Sequence, residues 1–212
     1  MPEELLIATR NAGKVVEFSR LLGDLPVGMR GLADFPDLSE VEESGETFEE
    51  NATLKARVYG GLTGLLTLAD DSGLQVDALR GAPGVRSARY AGPRATDAER
   101  NTLLLSELNA THDAERRARF VCVLALFRPA DSSLKLFRGT CEGRIGHEPR
   151  GGGGFGYDPI FVPEGYSQSF GELPPEVKDC ISHRAVALGA VRSFLVELGE
   201  VQLDPLEIPP IE

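Results

Sequence analysis

Short apolar runs and amphipathic stretches follow one another along this chain, and turn residues separate them. Leu5-Leu6-Ile7-Ala8 reads as a short buried strand and Thr9 to Gly13 as a polar turn. Lys14 to Leu22 carries Val15, Phe18, Leu21 and Leu22 at helical spacing, with Gly23 as a natural stop. Thr47-Phe48-Glu49-Glu50 has the form of a capping box and opens a helix expected to reach about Tyr59. Asn51 and Lys55 then share one face. Leu65 to Ala69 predicts a strand that ends in Asp70-Asp71-Ser72-Gly73. A second capping box, Thr96-Asp97-Ala98-Glu99, opens a helix to about Leu108. Ala118 to Phe127 is nearly all apolar, as a central strand buried on both faces would be. The turn Pro129 to Ser133 leads into a partner strand, Leu134 to about Ile145. Ser182-His183-Arg184 opens a last helix with Ala187, Leu188, Val191, Phe194 and Leu195 on its apolar face.

Composition narrows the classes. The 212 residues carry a formal net charge of −11. That argues against direct nucleic-acid binding and against an anionic membrane surface, both of which need a basic face. No apolar run approaches the roughly 18 residues of a membrane span. The acidic start Met1-Pro2-Glu3-Glu4 is not a signal peptide, and Cys122, Cys141 and Cys180 form no C-x-x-C pair. A cytoplasmic location fits. Residues 1–199 read as one domain, and 200–212, with three prolines, as a C-terminal tail. A small anionic ligand remains compatible with the acidic charge if basic groups are concentrated locally or a divalent cation screens them.

Local concentration is visible in the lysines. Only four of the 22 basic residues are Lys: Lys14, Lys55, Lys135 and Lys178. Lys135 looks like an ordinary exposed strand residue. The other three lie in segments that look like chemistry, and three point charges from distant parts of the chain suggest one polyanion held from several sides. The strand-turn-helix opening over Thr9, Arg10, Asn11, Ala12, Gly13 and Lys14 places backbone N–H groups at a helix N-terminus, a ready anion site. Asp70 and Asp71 are adjacent on a strand, so one of them faces any site there while the other can cap the turn. Glu40, Glu42 and Glu43 form a second acidic cluster. Gly151 to Gly154 runs into Phe155-Gly156-Tyr157-Asp158: glycines let backbone approach a ligand, and aromatics offer a face to a flat ring. His183 and Arg184 are cations at the wrong end of a helix for its dipole, which a bound anion or a base carbonyl would explain.

Six blocks in order resemble the inosine triphosphate pyrophosphatase family. They are Ala8 to Lys14, Glu43 to Ala52, Ala69 to Leu74, Gly81-Ala82-Pro83-Gly84 through Ser87-Ala88-Arg89-Tyr90, Gly153 to Pro159, and Ile181 to Ala185. The resemblance spans nearly all of the chain before the tail; Arg10 departs from it, standing where many relatives carry Gly. It implies an α/β fold with an elongated mixed central sheet and flanking helices, forming two lobes around a nucleotide cleft, in a homodimer. It implies hydrolysis of non-standard purine triphosphates (dITP, ITP, XTP, dXTP) to the monophosphate and pyrophosphate, which keeps deaminated purines out of DNA and RNA. Asp71 would be the base toward water. Mg²⁺ would sit on Asp71 and one of Glu42 or Glu43, Glu42 being the first choice. Lys14, Lys55 and Lys178 would ring the phosphates with the Thr9-to-Lys14 turn, and Ser72 would join the substrate contacts. Phe155 would stack on the purine with Gly156 and Tyr157 beside it, while Asp158, His183 and Arg184 read its edge. A nucleotide sensor without turnover, or the same scaffold acting on standard or pyrimidine triphosphates, are the competing readings.

Overall fold

The computed structural model describes residues 4–197, apart from Asp24 and Pro26. The tail 200–212 lies outside the described residues. In chain order the main elements are β1 (Leu5–Ala8), α1 (Ala12–Leu22), β2 (Met29–Gly31), α2 (Phe48–Thr63), β3 (Leu66–Val76) and α3 (Asp97–Ala110). They continue with β4 (Arg117–Arg128), β5 (Ser133–Ile145), β6 (Phe161–Pro163), α4 (Pro175–Ile181) and α5 (His183–Glu197). The strands form one mixed sheet in the order β2-β1-β3-β4-β5-β6, with β1 parallel to β2 and β3 and every later pairing antiparallel.

The capping boxes at Thr47 and Thr96 are both formed, side chain to backbone in each direction. Helix α2 runs four residues beyond its expected end and stops at Gly64, which adopts the left-handed conformation (φ 72°). Gly60 lies inside the helix at a close contact: a Cβ there would meet the Phe127 ring at 2.6 Å. Helix α1 begins two residues earlier than expected, because the Asn11 side chain caps it by accepting the Lys14 N–H. The short α4 and β6 were not anticipated; neither is long enough to show a period.

Strand β4 is central, and its two faces enter different cores. Cys122, Leu124 and Leu126 pack with Phe18, Leu22, Leu188 and Val191 of α1 and α5. Val121, Val123, Ala125 and Phe127 pack with Phe48, Ala52, Ala56 and Tyr59 of α2. Farther along, β3 and β4 leave this sandwich and form a third core with α3, in which Leu74, Val76 and Phe120 meet Leu104 and Leu108. Two lobes thus share three long strands.

The functional cleft arises from a mismatch in strand length. β1 stops at Ala8, opposite Ala69, whereas β3 continues beside β4 from Asp70↔Leu124 to Val76↔Ala118. The sequence expectation that Asp70-Asp71 ends a strand is therefore corrected. The pair sits in mid-strand, and what ends there is the neighbouring strand, which leaves the Asp70–Gly73 edge of β3 without a strand beside it before Leu74 to Val76 meet the Ala82–Ser87 segment.

Candidate active site

A cavity of about 640 Å³ opens at that bare edge. Thr9, Arg10, Asn11, Lys14, Glu42, Glu43, Lys55, Asp71, Ser72, Phe155, Gly156, Tyr157, Asp158, Lys178, His183 and Arg184 all line it. Ala12 and Gly13, also singled out in the sequence, do not. They form the first turn of α1, and Gly13 lies against the Phe155 ring.

Asp70 and Asp71 point to opposite faces, as neighbours on a strand must. Asp71 borders the cavity and is 5% exposed. Asn51 Nδ2 donates to its Oδ2 at 3.1 Å, and Lys55 Nζ lies 3.5 Å from its Oδ1. Asn51 is itself fixed, because its Oδ1 accepts the Gly45 N–H at 2.8 Å. Burial pushes the Asp71 carboxyl up to about 6; Lys55 and Lys14 pull the other way, and Glu43 and Asp70 add to the rise. A carboxylate oriented by an amide and tuned close to neutrality is equipped to take a proton from water.

Asp70 serves the other face. Lys14 donates to it, the Cys122 thiol donates to its Oδ2 at 3.1 Å, and Arg184 Nε lies 3.3 Å away. Burial alone would raise its pKa, yet Lys14, Arg184 and Lys55 hold it well below the usual carboxylate range. Arg184 also donates to Glu17, and its Nη2 donates to Ser72 Oγ at 2.9 Å. Glu17 in turn lies 2.8 Å from Lys178 Nζ, which is 2.5 Å from Asp158. A continuous ionic chain Lys14–Asp70–Arg184–Glu17–Lys178–Asp158 therefore runs through the wall of the cavity. Glu17 is the residue the sequence reading missed. It sits three positions after Lys14, on the same face of α1, and that spacing was the available signal.

This chain also changes the account of α5. His183 and Arg184 were expected to be two uncompensated cations at a helix N-terminus. Arg184 is compensated by Glu17 and Asp70, and His183 is not a cation: burial, then Arg184 and Lys178, drive its pKa well below the ordinary value. The His183 ring stacks on Phe120 (centroids 4.8 Å apart), and its buried Nδ1 finds no hydrogen-bond partner among the described residues.

The Phe155 loop is held from three sides. Asp158 Oδ2 accepts the Phe155 N–H at 2.8 Å, Asp97 Oδ2 accepts the Gly156 N–H at 2.6 Å, and Asn101 Nδ2 donates to the Gly156 carbonyl at 3.1 Å. Gly156 has φ 64°, which suits a residue without Cβ. Lys178 Nζ lies 4.6 Å from the centroid of the Phe155 ring. Lys178 was grouped in sequence with the phosphate lysines, but the structure puts it beside Phe155 and Asp158. Tyr157 is less a stacking partner than an anchor, since its hydroxyl donates to the Ser87 carbonyl at 2.8 Å.

Metal capacity is limited and specific. Among the described residues no three His, Cys, Asp or Glu side chains converge on one point. Asp71 and the two glutamates face the same cavity, however. Glu43 is engaged by Lys55 at 2.5 Å and Arg89 at 3.4 Å, while Glu42 is exposed. Such a set suits a hard cation that takes a few carboxylate oxygens and the rest from water and ligand.

Seven basic side chains line the cavity against six carboxylates, and Glu17 and Asp70 pair with them from behind. A polyanion entering this space meets no net positive charge, so a cation must come with it.

Comparison with known proteins places nearly the whole chain in one family. A model of the Ham1 family matches residues 5–194. A dITP/XTP pyrophosphatase of Exiguobacterium sibiricum is 48% identical over 198 residues, covering 93% of this chain and 100% of the relative. A protein of the same name from Geobacter sulfurreducens is 50% identical over 191 residues, covering 90% and 96%. The solved structure of a HAM1 protein from Coxiella burnetii superposes with a TM-score of 0.85 at 44% identity, covering 92% of this chain and 99% of that one. No helix among the described residues is long and apolar enough to cross a membrane.

Proposed function

This chain belongs to the Ham1 family, and from that premise we propose that it is a hydrolase that splits dITP, ITP and XTP into the monophosphate and pyrophosphate. The observation that carries the reading is Asp71, a buried carboxylate with its pKa near 6, fixed by Asn51 and Lys55 in the same cavity as an aromatic platform. Water attack on the α-phosphorus needs a base, an oriented triphosphate and charge neutralisation, and positioning dominates.

Asp71 takes the proton of the attacking water. Lys14 and Lys55 meet the phosphates with the N–H groups at the start of α1. A triphosphate carries about four negative charges; the carboxylates Asp71 and Glu42 offer a place for a divalent cation, which we assign as Mg²⁺. When bound, that ion would neutralise phosphate charge and make a nearby water more acidic. Glu42 is preferred to Glu43 because Glu43 is already paired with two cations.

Base selection falls to the Phe155 side. The ring offers its face to the purine, and His183 Nδ1, unpartnered among the described residues, supports a polar ligand contact. An unsatisfied buried nitrogen costs roughly 1–3 kcal/mol until something pairs with it. A 6-oxo purine and adenine present opposite hydrogen-bonding groups there, which makes such a site selective. A homodimer, action in the cytoplasm and a single catalytic domain over residues 1–199 extend the same reading.

The test is a pyrophosphate-release assay with dITP, ITP, XTP, ATP, GTP and dTTP at fixed Mg²⁺. Turnover of the first three well above the others is expected. Binding without turnover would make the protein a sensor, and preference for dTTP would move it to another branch of the scaffold.

A further inference from the structure

Arg89 combines a fixed backbone with an under-used guanidinium. It ends the 3-10 turn Gly84–Arg89, and the two residues before it are anchored from β3, from α3 and from the Phe155 loop. Ser87 Oγ accepts the Leu74 N–H of β3 at 2.9 Å. The Ser87 carbonyl accepts the Tyr157 hydroxyl at 2.8 Å, and the Ala88 carbonyl accepts Arg100 Nη1 of α3 at 3.0 Å. Among the described residues the side chain makes one long contact, 3.4 Å from Nη2 to Glu43 Oε2, and it remains 46% exposed at the cavity. An exposed pair at that distance contributes little to stability. Lys14, Lys178 and Arg184 differ: each is largely buried against carboxylates. A rigid mount under a loosely held guanidinium is what a ligand contact requires.

We propose that Arg89 binds the β- and γ-phosphates of the triphosphate and stays with them as pyrophosphate leaves; this rests on the pyrophosphatase reading above. Glu43 ties Arg89 to the chemistry. Its Oε1 is 2.5 Å from Lys55 Nζ, and Lys55 is 3.5 Å from Asp71, so Arg89–Glu43–Lys55–Asp71 is one line of alternating charge. As the water oxygen bonds to the α-phosphorus, its proton goes to Asp71. The bond from that phosphorus to the α,β-bridging oxygen breaks, and its electron pair stays on pyrophosphate. The planar guanidinium can meet two phosphate oxygens with parallel N–H groups where that charge appears. Arg89 releases Glu43 at little cost because the contact is long, and Glu43 keeps Lys55.

The experiment compares wild type, Arg89→Ala and Arg89→Lys in dITP turnover at fixed Mg²⁺, with inorganic pyrophosphate and dIMP as product inhibitors. In Arg89→Ala, pyrophosphate inhibition should weaken about tenfold or more, the loss expected for a charge-assisted contact, while dIMP inhibition stays within about twofold. Arg89→Lys should recover part of the difference, since it keeps the charge without the fork. Unchanged pyrophosphate inhibition in Arg89→Ala, or equal weakening of both products, would overturn the proposal. Calorimetric binding of pyrophosphate, read without turnover, separates the two levels. A wild type that binds pyrophosphate more tightly than Arg89→Ala but does not hydrolyse dITP retires the reaction and keeps the site. Equal binding by both proteins retires the site.

Discussion

Gly13 lies against Phe155 so closely that a Cβ at position 13 would stand 2.6 Å from the ring's Cδ1. The first turn of α1 and the aromatic platform are therefore one packed unit, although 142 positions separate them in sequence. Gly13→Ala must push the ring aside, because no real Cβ contact is that short. The backbone at Gly13 is helical, so alanine should leave thermal stability equal or slightly higher. We expect KM for dITP to rise several-fold with Tm unchanged or raised. Unchanged KM would show that the ring position does not matter to the substrate.

Asp71→Asn keeps the hydrogen bond to Asn51 within reach but removes charge and basicity. Turnover should fall by several orders of magnitude while nucleotide binding survives. Near wild-type activity with Mg²⁺ present would remove Asp71 from the mechanism.

Some of this was legible in the chain, and the rest depends on partners that no local window contains. The capping boxes at Thr47 and Thr96 are local hydrogen-bond patterns, so they read correctly. β4 read correctly because both of its faces are buried, which leaves a continuous apolar run. β3 did not, because Asp70, Asp71 and Ser72 look like a turn. They remain in a strand because β4 pairs with them throughout, and they are solvated by charge partners from α1, α2 and α5. Glu17 does not stand out in the sequence, where only its spacing from Lys14 marks it. It is 3% exposed only because Lys178 and Arg184 arrive more than 160 positions later. Among the site residues, the sequence placed Lys178 with the phosphates; its contacts with Phe155 and Asp158 emerge only when α4 docks.

The lysines make a graded test. Lys14→Ala removes a partner of Asp70 at the start of α1, and Lys178→Ala takes the cation from buried Asp158 and leaves Glu17 with Arg184 alone. Both should lower kcat/KM for dITP at least tenfold. Lys135 lies over the Phe194 ring at 3.9 Å, away from the cavity, so Lys135→Ala should change Tm slightly and kinetics not at all. A kinetic defect in Lys135→Ala matching the other two would undo the grouping.

His183 predicts a pH effect with a definite sign. Burial, then Arg184 and Lys178, keep its folded pKa well below the ordinary value. The neutral form is thus the folded form, and the stability linked to it is fully present above about pH 6.5. It is lost as pH falls from there through the folded pKa, at up to about 1.4 kcal/mol per pH unit for one proton. Denaturant melts of wild type and His183→Asn between pH 7 and 5 should show the steeper loss in wild type. Parallel curves, or imidazole NMR shifts of a protonated His183 at pH 6, would contradict the assignment.

Arg184 changes most between the two levels of description. As a first-turn arginine in the final sequence block it suggested a donor to the purine 6-oxo group. In the structure it is 1% exposed, and all three guanidinium nitrogens already point at Asp70, Glu17 or Ser72. Arg184→Ala would leave two buried carboxylates without their shared cation, and breaking a buried pair from one side costs about 3–5 kcal/mol. We therefore expect a large fall in Tm, with dITP and ATP turnover reduced alike in whatever protein remains folded. Restoring neutrality should separate charge from recognition: in Glu17→Gln with Arg184→Met, one buried charge of each sign is gone and stability should recover in part. If that pair regains stability but still discriminates dITP from ATP as wild type does, selectivity belongs to His183 and the Phe155 loop. If discrimination collapses in the stable pair while dITP binding is retained, Arg184 reads the base through its remaining N–H groups, and its ionic contacts serve to aim it.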